Sequence, residues 1–345
     1  MPSLRLLFFG TPDFALPALE RLIAGPHQLV GVVSQPDRAR GRGRKESPSP
    51  VSALALREDI PLFRPEQVGD AEVVERLRAL RSDVGIVVAF GQFLPRKVRE
   101  MPSCGYLINA HASLLPKYRG AAPIAQAILE GESETGVSVM RIEREMDAGP
   151  VTLVLRTPIE PRENTAELSS RLSELAATAT LQSVEQLARG DIHWTPQDGR
   201  LATIAPKLKK SDAVLDLRES ARALACRIHA FSPKPGGTLT LVTSGDNGSE
   251  RSSDKAVLKL SRADVIAFDS TRNSVDATSR PAPGTIERDV DGIALRIATG
   301  DGWLVPLTLQ RAGGKSLPIA DFLRGFALGA DARCALPHLA VETPK

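Results

Sequence analysis

The sequence predicts an α/β fold in two parts: a Rossmann-like, doubly wound, mostly parallel sheet, then a small OB-like β-barrel. Over residues 1–190, apolar runs of strand length alternate with segments of helical periodicity, the pattern of a parallel sheet covered on both faces. Residues 191–211 lose that periodicity, and from 212 onward short alternating runs are separated by Gly, Asp, Asn and Ser, as in a small barrel or sandwich. A length of 345 residues suits two domains, and 42% hydrophobic with 25% charged content is ordinary globular usage. The expected boundaries are 1–190, a linker at 191–211, and 212–345.

The elements follow in order. LRLLFF, residues 4–9, reads as a short buried strand that stops at Gly10. Phe14, Leu16, Leu19, Leu22 and Ile23 recur at helical spacing over 13–24. HQLVGVVS is a second strand, and QPDRARGRGRKESPSP, residues 35–50, a polar loop. Helices are expected near 50–58 and 70–80, then the strand DVGIVVAF, a short helix near 95–100 and the strand CGYLINAH. AAPIAQAILEG reads as a helix with Pro123 in its first turn, where a missing N–H breaks no bond. TGVSVMRI and VTLVLRT read as strands, the former expected to run parallel to its neighbours, and 164–189 as a long amphipathic helix. In the second part ESARALACRIHAF is a helix, followed by the strands GTLTLVT, AVLKLSRADVIAF, GTIERDV, GIALRIAT and WLVPLTLQ. DNGSERSSDK and DSTRNSVDATSRPAPG read as mobile polar loops, and the polar stretch from about 243 to 281 as an insertion.

Several function classes are excluded. Cys104, Cys226 and Cys334 are far apart, odd in number and without a CxxC, which argues against a disulfide framework or a zinc site and fits a reducing compartment. MPSLRLLFFGTPDF reaches Gly and Asp too soon for a secretory leader, and no apolar run approaches a membrane span, so the expectation is a cytoplasmic protein without a membrane partner. A net charge of +3 neither requires nor excludes nucleic acid, so the distribution of the charge has to decide. GTPDF follows the first strand but offers only Gly10 where a dinucleotide fingerprint needs three glycines, and GRGRK lies in a long loop without phosphate-loop spacing.

The informative stretch is INAHASLLPKYRGAAP, residues 108–123. Asn109 and His111 are two apart at the end of an apolar strand, so they share one face. Ligands of open α/β sheets bind outside the carboxyl ends of the strands. The turn EREMDAGP carries Asp147 and follows the next strand, which could set a carboxylate beside the imidazole. An amide, an imidazole and a carboxylate suit attack of an amine on an acyl or formyl carbon. Asn109 can donate to the developing oxyanion, His111 held protonated by Asp147 can donate to the oxyanion or the leaving nitrogen, and Asp147 can help deprotonate the amine. Ser113 lacks the G-x-S-x-G elbow of a nucleophile, and no residue here calls for a metal.

H-x-S-L-L-P-x-Y-R-G, together with FFGTPDFALPAL, GVVSQPDRARGRGRK, VVAFGQFLP, ETGVSVM, MDAGP, CRIHAFSPKPG, PGTI and ATGDG in this order, resembles the 10-formyltetrahydrofolate-dependent formyltransferases over nearly the whole chain. The closest likeness is to the branch that formylates methionine on initiator tRNA. The resemblance implies a formyltransferase catalytic domain at 1–190 and a tRNA-binding barrel at 212–345. It implies Asn109, His111 and Asp147 as the catalytic three, with Ser113, Leu114, Leu115 and Pro116 lining the folate site and Phe90, Gly91, Phe93 and Leu94 around the pterin. The implied co-substrate is 10-formyltetrahydrofolate and the partner is initiator Met-tRNA, for a monomeric enzyme without a metal.

The acceptor is suggested by charge. Arg38, Arg40, Arg42, Arg44 and Lys45 form a basic run in the loop 35–50, as phosphate contacts require, and an isolated run of this kind can equally be a solvated loop. In the resembling family this loop enters the acceptor arm, and Arg42 matches its decisive arginine. Lys207, Lys209 and Lys210 form a second cluster, and a helix carrying Arg218, Arg222 and Arg227 a third. Departures from the family pattern are SPKPGGTLTL without bulky aromatics, VLDL without an aromatic end, and the long polar insertion. Two rival readings remain: a formyltransferase for an amino sugar or other small amine on the same scaffold, and a tRNA-binding protein with a vestigial site.

Overall fold

The computed structural model describes residues 3–40, 45–244, 253–268, 280–326, 328–329 and 331–337. The chain divides into two compact units. The first comprises Met1–Ile124, Glu134–Pro158 and Leu168–Lys207, and the second Ala125–Ser133, Ile159–Glu167 and Leu208–Lys345.

In chain order the first elements are β1 (Arg5–Gly10), α1 (Leu16–Ala24), β2 (Gln28–Val33), β3 (Arg38–Arg40), β4 (Lys45–Ser47), α2 (Pro50–Arg57), β5 (Leu62–Phe63) and α3 (Ala71–Arg78). Then come β6 (Val84–Val88), α4 (Arg96–Arg99), β7 (Leu107–His111), β8 (Arg119–Gly120), α5 (Pro123–Leu129), β9 (Glu134–Arg141), β10 (Val151–Pro158), α6 (Thr165–Arg189) and β11 (Ile204–Ala205). The central sheet has seven strands in the order β10-β9-β7-β6-β1-β2-β5. From β5 to β7 the pairs are parallel. The first helix begins as a 3-10 turn at Asp13–Ala15. Ser49 starts α2 by accepting a hydrogen bond from the Ser52 N–H, an N-cap. On α6, Leu168, Leu172, Ala176 and Ala179 repeat every three or four residues and are buried, as an amphipathic helix requires.

Three expectations need correction. TGVSVMRI is antiparallel: β9 pairs with β7 as His111 opposite Ser138 and Ile108 opposite Arg141, and β10 pairs antiparallel with β9. The short connection from α5 to β9 brings the chain in at the carboxyl end of β7, so the strand can only run back down it. The polar loop 35–50 contains a hairpin, with Arg38 opposite Ser47 and Arg40 opposite Lys45. Charged residues alternating with Ala, Gly and Ser offer no apolar period from which a strand is read. The segment read as unstructured after 190 adds β11, parallel to β8, with Ile204 opposite Arg119 and Ala205 opposite Gly120.

The second unit contains α7 (Ala221–Ala230), β12 (Gly237–Ser244), β13 (Ser253–Ala267), β14 (Ile286–Arg288), β15 (Leu295–Ala298), β16 (Gly302–Arg311), β17 (Leu317–Pro318), α8 (Ile319–Gly325) and β18 (Arg333–Ala335). Its antiparallel sheet runs β14-β15-β16-β13-β12-β18, with β17 on β16. Register shifts between Leu260 and Ala263 interrupt the β13–β16 ladder, the kind of bulge that bends a strand enough to curl a sheet. An antiparallel bridge of Thr285 with Arg333 joins the two edges, and the Cys334 N–H donates to Gly284 O at 2.9 Å, so the sheet nearly closes into a barrel. Gly284 has φ +93°, and a Cβ there would lie 2.4 Å from Cys334 O, so closure needs the glycine. Leu217, Leu224, Ile228, Leu260 and Leu304 fill the interior without measurable exposure. The sequence reading missed α8, β17 and β18. The mobile-loop expectation at 246–255 and 269–284 falls largely on residues outside those described.

Candidate active site

The carboxyl ends of the parallel strands form the rim of the first unit. With β2 and β5 on one side of β1 and β6 and β7 on the other, the topological switch lies between β1 and β6. Side chains tie this rim together. Thr11 Oγ1 donates to Phe90 O at 3.0 Å, Gln35 Nε2 to the same carbonyl at 3.0 Å, and Gln35 N to Thr11 Oγ1 at 3.3 Å. Ala89 at φ +49° and Gly91 at φ +83° make the turn that follows β6.

One strand over, β7 delivers Asn109 and His111 to one face while Ile108 and Ala110 fill the other. Among the described residues, the half-buried Asn109 carboxamide has no hydrogen-bond partner, so its donors are available to a ligand. The His111 ring is buried, with Nε2 at 2.9 Å from Tyr118 O and Nδ1 at 3.6 Å from Asp147 Oδ2. The carbonyl only accepts, so Nε2 carries a proton. Opposite Nδ1 stands the Asp147 carboxylate, which only accepts. At 3.6 Å the Nδ1–Asp147 contact is an ion-pair distance, longer than a hydrogen bond.

Asp147 does not arrive from a strand ending at the same rim, because β9 runs the other way. It sits in the loop between β9 and β10, whose ends are held by Arg141 N–H donating to Pro150 O at 3.0 Å. There Asp147 adopts φ +50°, and its Oδ2 accepts from the Gly120 N–H at 2.8 Å. Aspartate tolerates this left-handed conformation better than most residues. Gly149 allows the tight return: a Cβ there would lie 1.9 Å from Arg141 O.

The segment after His111 is bound into its own loop. Ser113 is fully buried. Its Oγ donates to Lys117 O at 2.6 Å and its N–H to His111 O at 2.9 Å, while its carbonyl accepts from Ser138 Oγ at 2.7 Å. The Leu115 N–H donates to Ser138 Oγ at 3.1 Å, and Leu115–Pro116 is cis. Leu114, Leu115 and Pro116 are half-buried. Phe90 is in the core, edge-to-face on Phe9 with centroids 5.5 Å apart, and Leu94 is buried, whereas Phe93 is 76% exposed.

Arg38, Lys207, Lys209 and Lys210 are exposed. Arg42 and Arg44 fall outside the described residues, and for Arg40 and Lys45 only the backbone is described. The third basic cluster is altered: Arg218 precedes α7 and pairs with Asp216 at 2.6 Å, while Arg227 pairs with Glu219 at 2.5 Å. Among the described residues no group of three His, Cys, Asp or Glu is placed to hold a metal, and no helix is long and apolar enough to cross a membrane.

Sequence reasoning missed Gln197. It lies in the segment read as a linker, yet touches both Arg119 and the Asp147 loop. Trp194, an aromatic residue in an otherwise polar stretch, was the available signal. Its ring meets Tyr106 edge-to-face, and the Arg141 guanidinium stacks on both.

A doubly wound unit with an amide, an imidazole and a carboxylate at its rim, followed in sequence by a nearly closed barrel-like sheet, is the architecture of a two-domain formyl transferase. Residues 4–184 match the formyl transferase family and residues 207–327 the formyl transferase C-terminal domain. The chain is 40% identical over 331 residues to the methionyl-tRNA formyltransferase of Roseiflexus sp. (strain RS-1), covering 96% of this chain and 95% of that protein. It is likewise 40% identical over 331 residues to that of Pseudomonas syringae pv. tomato, covering 94% and 97%. Similar solved folds include an N-formyltransferase from Helicobacter canadensis with folinic acid and dTDP-3-aminofucose (TM-score 0.59, 14% identity, 88% of this chain and 99% of that one). Another is HypX from Aquifex aeolicus with tetrahydrofolic acid (TM-score 0.57, 18% identity, 93% and 47%). The chain belongs to the methionyl-tRNA formyltransferase family.

Proposed function

We propose that this enzyme transfers the formyl group of 10-formyltetrahydrofolate to the α-amine of methionine on initiator Met-tRNA, giving formylmethionyl-tRNA for translation initiation. The observation that carries the reading is the Asn109–His111–Asp147 cluster, in a chain matching methionyl-tRNA formyltransferases over almost its full length.

Each group has a role in the proposed reaction. The methionine amine attacks the formyl carbon, a C–N bond forms, and the carbonyl oxygen takes the negative charge. Asn109 offers its carboxamide N–H to that oxyanion. His111 offers Nδ1–H, the ring proton not committed to Tyr118 O. Asp147 holds the ring cation and accepts the proton of the attacking amine, directly or through one water. The oxyanion then collapses to the carbonyl as the C–N10 bond breaks, N10 takes the proton that the amine gave up, returned from Asp147 through His111 or water, and tetrahydrofolate leaves. No covalent enzyme intermediate is involved, and no metal.

The folate is taken by the rim that the loop 113–116 shares with Phe90, Gly91, Phe93 and Leu94. Exposed Phe93 supplies an apolar face for the pterin, and Gly91 leaves the backbone open. Buried Ser113 acts by shaping its loop. For tRNA, the reading assigns the phosphate contacts to Arg38, Arg40, Arg42, Arg44, Lys45, Lys207, Lys209 and Lys210, with the barrel as a second binding domain. The protein acts as a monomer in the cytoplasm.

A formyl-transfer assay with 10-formyltetrahydrofolate, offering initiator Met-tRNA, uncharged tRNA and free amino sugars in parallel, tests this. Product on Met-tRNA alone supports it, and product on a sugar replaces the acceptor. In the same assay Arg42→Ala should raise KM for Met-tRNA without changing KM for the folate. Unchanged kinetics with tRNA would make the basic loop a solvated face.

A further inference from the structure

Gln197 donates both amide protons to backbone carbonyls that flank the candidate carboxylate, Asp147 O at 2.8 Å and Gly149 O at 2.7 Å. Its Oε1 accepts from Arg119 Nη2 at 2.9 Å and Arg119 Nε at 3.1 Å. This orientation is fixed by chemistry, since the guanidinium can only donate and the carbonyls can only accept. Arg119 is itself buried. Its neighbour Gly120 gives the N–H that Asp147 Oδ2 accepts. The Arg119–Gly120 dipeptide therefore grips Asp147 twice, through the Gly120 N–H on the carboxylate and through Gln197 on the backbone.

We infer that Gln197 is a positioning residue for the formyl-transfer reaction, holding Asp147 in its left-handed conformation so that the carboxylate faces the His111 ring. The inference rests on the function proposed above. A non-glycine residue at φ +50° stores roughly 1–3 kcal/mol and persists only when its surroundings over-determine it. Asp147 and Gly149 lie on the two sides of the turn, so one amide bonded to both carbonyls fixes its shape.

The segment that carries Gln197 is anchored on both sides of it. Upstream, Trp194 takes the Arg141 cation on its face, and the Thr195 N–H donates to Val151 O at 2.9 Å. Downstream, Thr203 Oγ1 accepts from the Tyr118 N–H at 2.9 Å, Thr203 O accepts from the Arg119 N–H at 2.9 Å, and β11 pairs with β8. Tyr118 is also the residue whose carbonyl holds His111 Nε2. Residues 194–205 thus form a strap that binds the His111 loop and the Asp147 loop together, with Gln197 as its contact to the backbone that carries the carboxylate.

Two substitutions test this in the full-length protein. Gln197→Leu removes all the polar contacts. Gln197→Glu keeps the size and the Arg119 contact but cannot donate to the two carbonyls, and it carries the test if the leucine variant folds poorly. Both should lower kcat about 100-fold, the cost of roughly 1 Å of misplacement, with KM for Met-tRNA and for 10-formyltetrahydrofolate within threefold of wild type. Amide exchange needs no substrate: the Gly120 N–H should exchange at least tenfold faster in both variants, with β1 and β6 amides unchanged. Unaltered Gly120 exchange overturns the inference, as does a rise in KM at constant kcat. If wild type fails to formylate Met-tRNA, the proposed reaction falls and the exchange measurement still decides whether Gln197 holds the Asp147 loop.

Discussion

Replacing Asp147 by Asn removes the charge beside the His111 ring and, with it, the group proposed to accept the amine's proton. The carboxamide oxygen can still accept from the Gly120 N–H, so the loop keeps its anchor. What disappears is a full negative charge 3.6 Å from Nδ1. Coulomb's law at an effective dielectric near 20 gives about 4–5 kcal/mol for opposite unit charges at that separation. Both side chains are mostly buried, at 7% and 16% exposure, so solvent screening takes little of it. Converted at 1.36 kcal/mol per decade, this corresponds to about 10³-fold in rate, inside the 10²–10⁴-fold span of general acid–base groups. The expected result is a kcat about 10³-fold lower, with Met-tRNA affinity, read by filter binding, within threefold of wild type. Loss of tRNA binding equal to the loss of turnover, or a kcat reduced less than tenfold, would refute the electrostatic argument.

Three other perturbations, one at the rim and two in the second unit, have defined outcomes. Gly120→Ala places a Cβ 2.7 Å from Ala205 O at φ +119°, and backbone cannot yield as a side-chain tip can, so urea unfolding should show a loss of roughly 1–3 kcal/mol together with a lower kcat. Burial lowers the pKa of His229 in the second unit, so the unfolded chain binds the extra proton first as pH falls. Stability is fully present above the unfolded value of about 6.5 and declines as pH drops below it; urea midpoints at pH 7.5 and 5.5 should show this, and the decline should shrink in His229→Leu. Burial pushes the Cys334 thiol up to about 12, so at pH 8 maleimide should label it more slowly than Cys104 or Cys226, with all three labelled after denaturation, as peptide mass spectrometry can read.

The sequence made the two groups on one strand legible because their relation is local. Asn109 and His111 share a face by the two-residue period of a strand, and an apolar run that ends in polar residues marks the rim of a sheet. The pairing of His111 with Asp147 was also anticipated, but on an argument about parallel strands that the structure overturns. Periodicity reports that a strand exists and says nothing of its direction, which here follows from the connection through α5. The barrel was legible from turn spacing, whereas its closure through Arg333 and Thr285 was not, since β18 has only three residues.

Gln197 shows where local signals end. A strap that bonds to an edge strand and to the rim loops of a sheet buries no periodic face, so its sequence resembles a linker even where it is bonded to the site. Trp194 stacks with Arg141, Gln197 binds the Asp147 turn, Thr203 binds the His111 loop, and Ile204–Ala205 extends β8. These contacts span roughly 50–85 residues of sequence, far beyond any helical or strand period. Their chemistry is nonetheless directional: the Gln197 amide protons and Thr203 Oγ1 meet backbone groups of the Asp147 and His111 loops that a short rim loop would otherwise leave unpaired. A sheet rim opened to admit substrates exposes such groups, and leaving one buried without a partner costs about 1–3 kcal/mol. The strap supplies those partners and the carboxylate geometry with the same few residues. Substitutions in it should therefore change turnover before they change the fold.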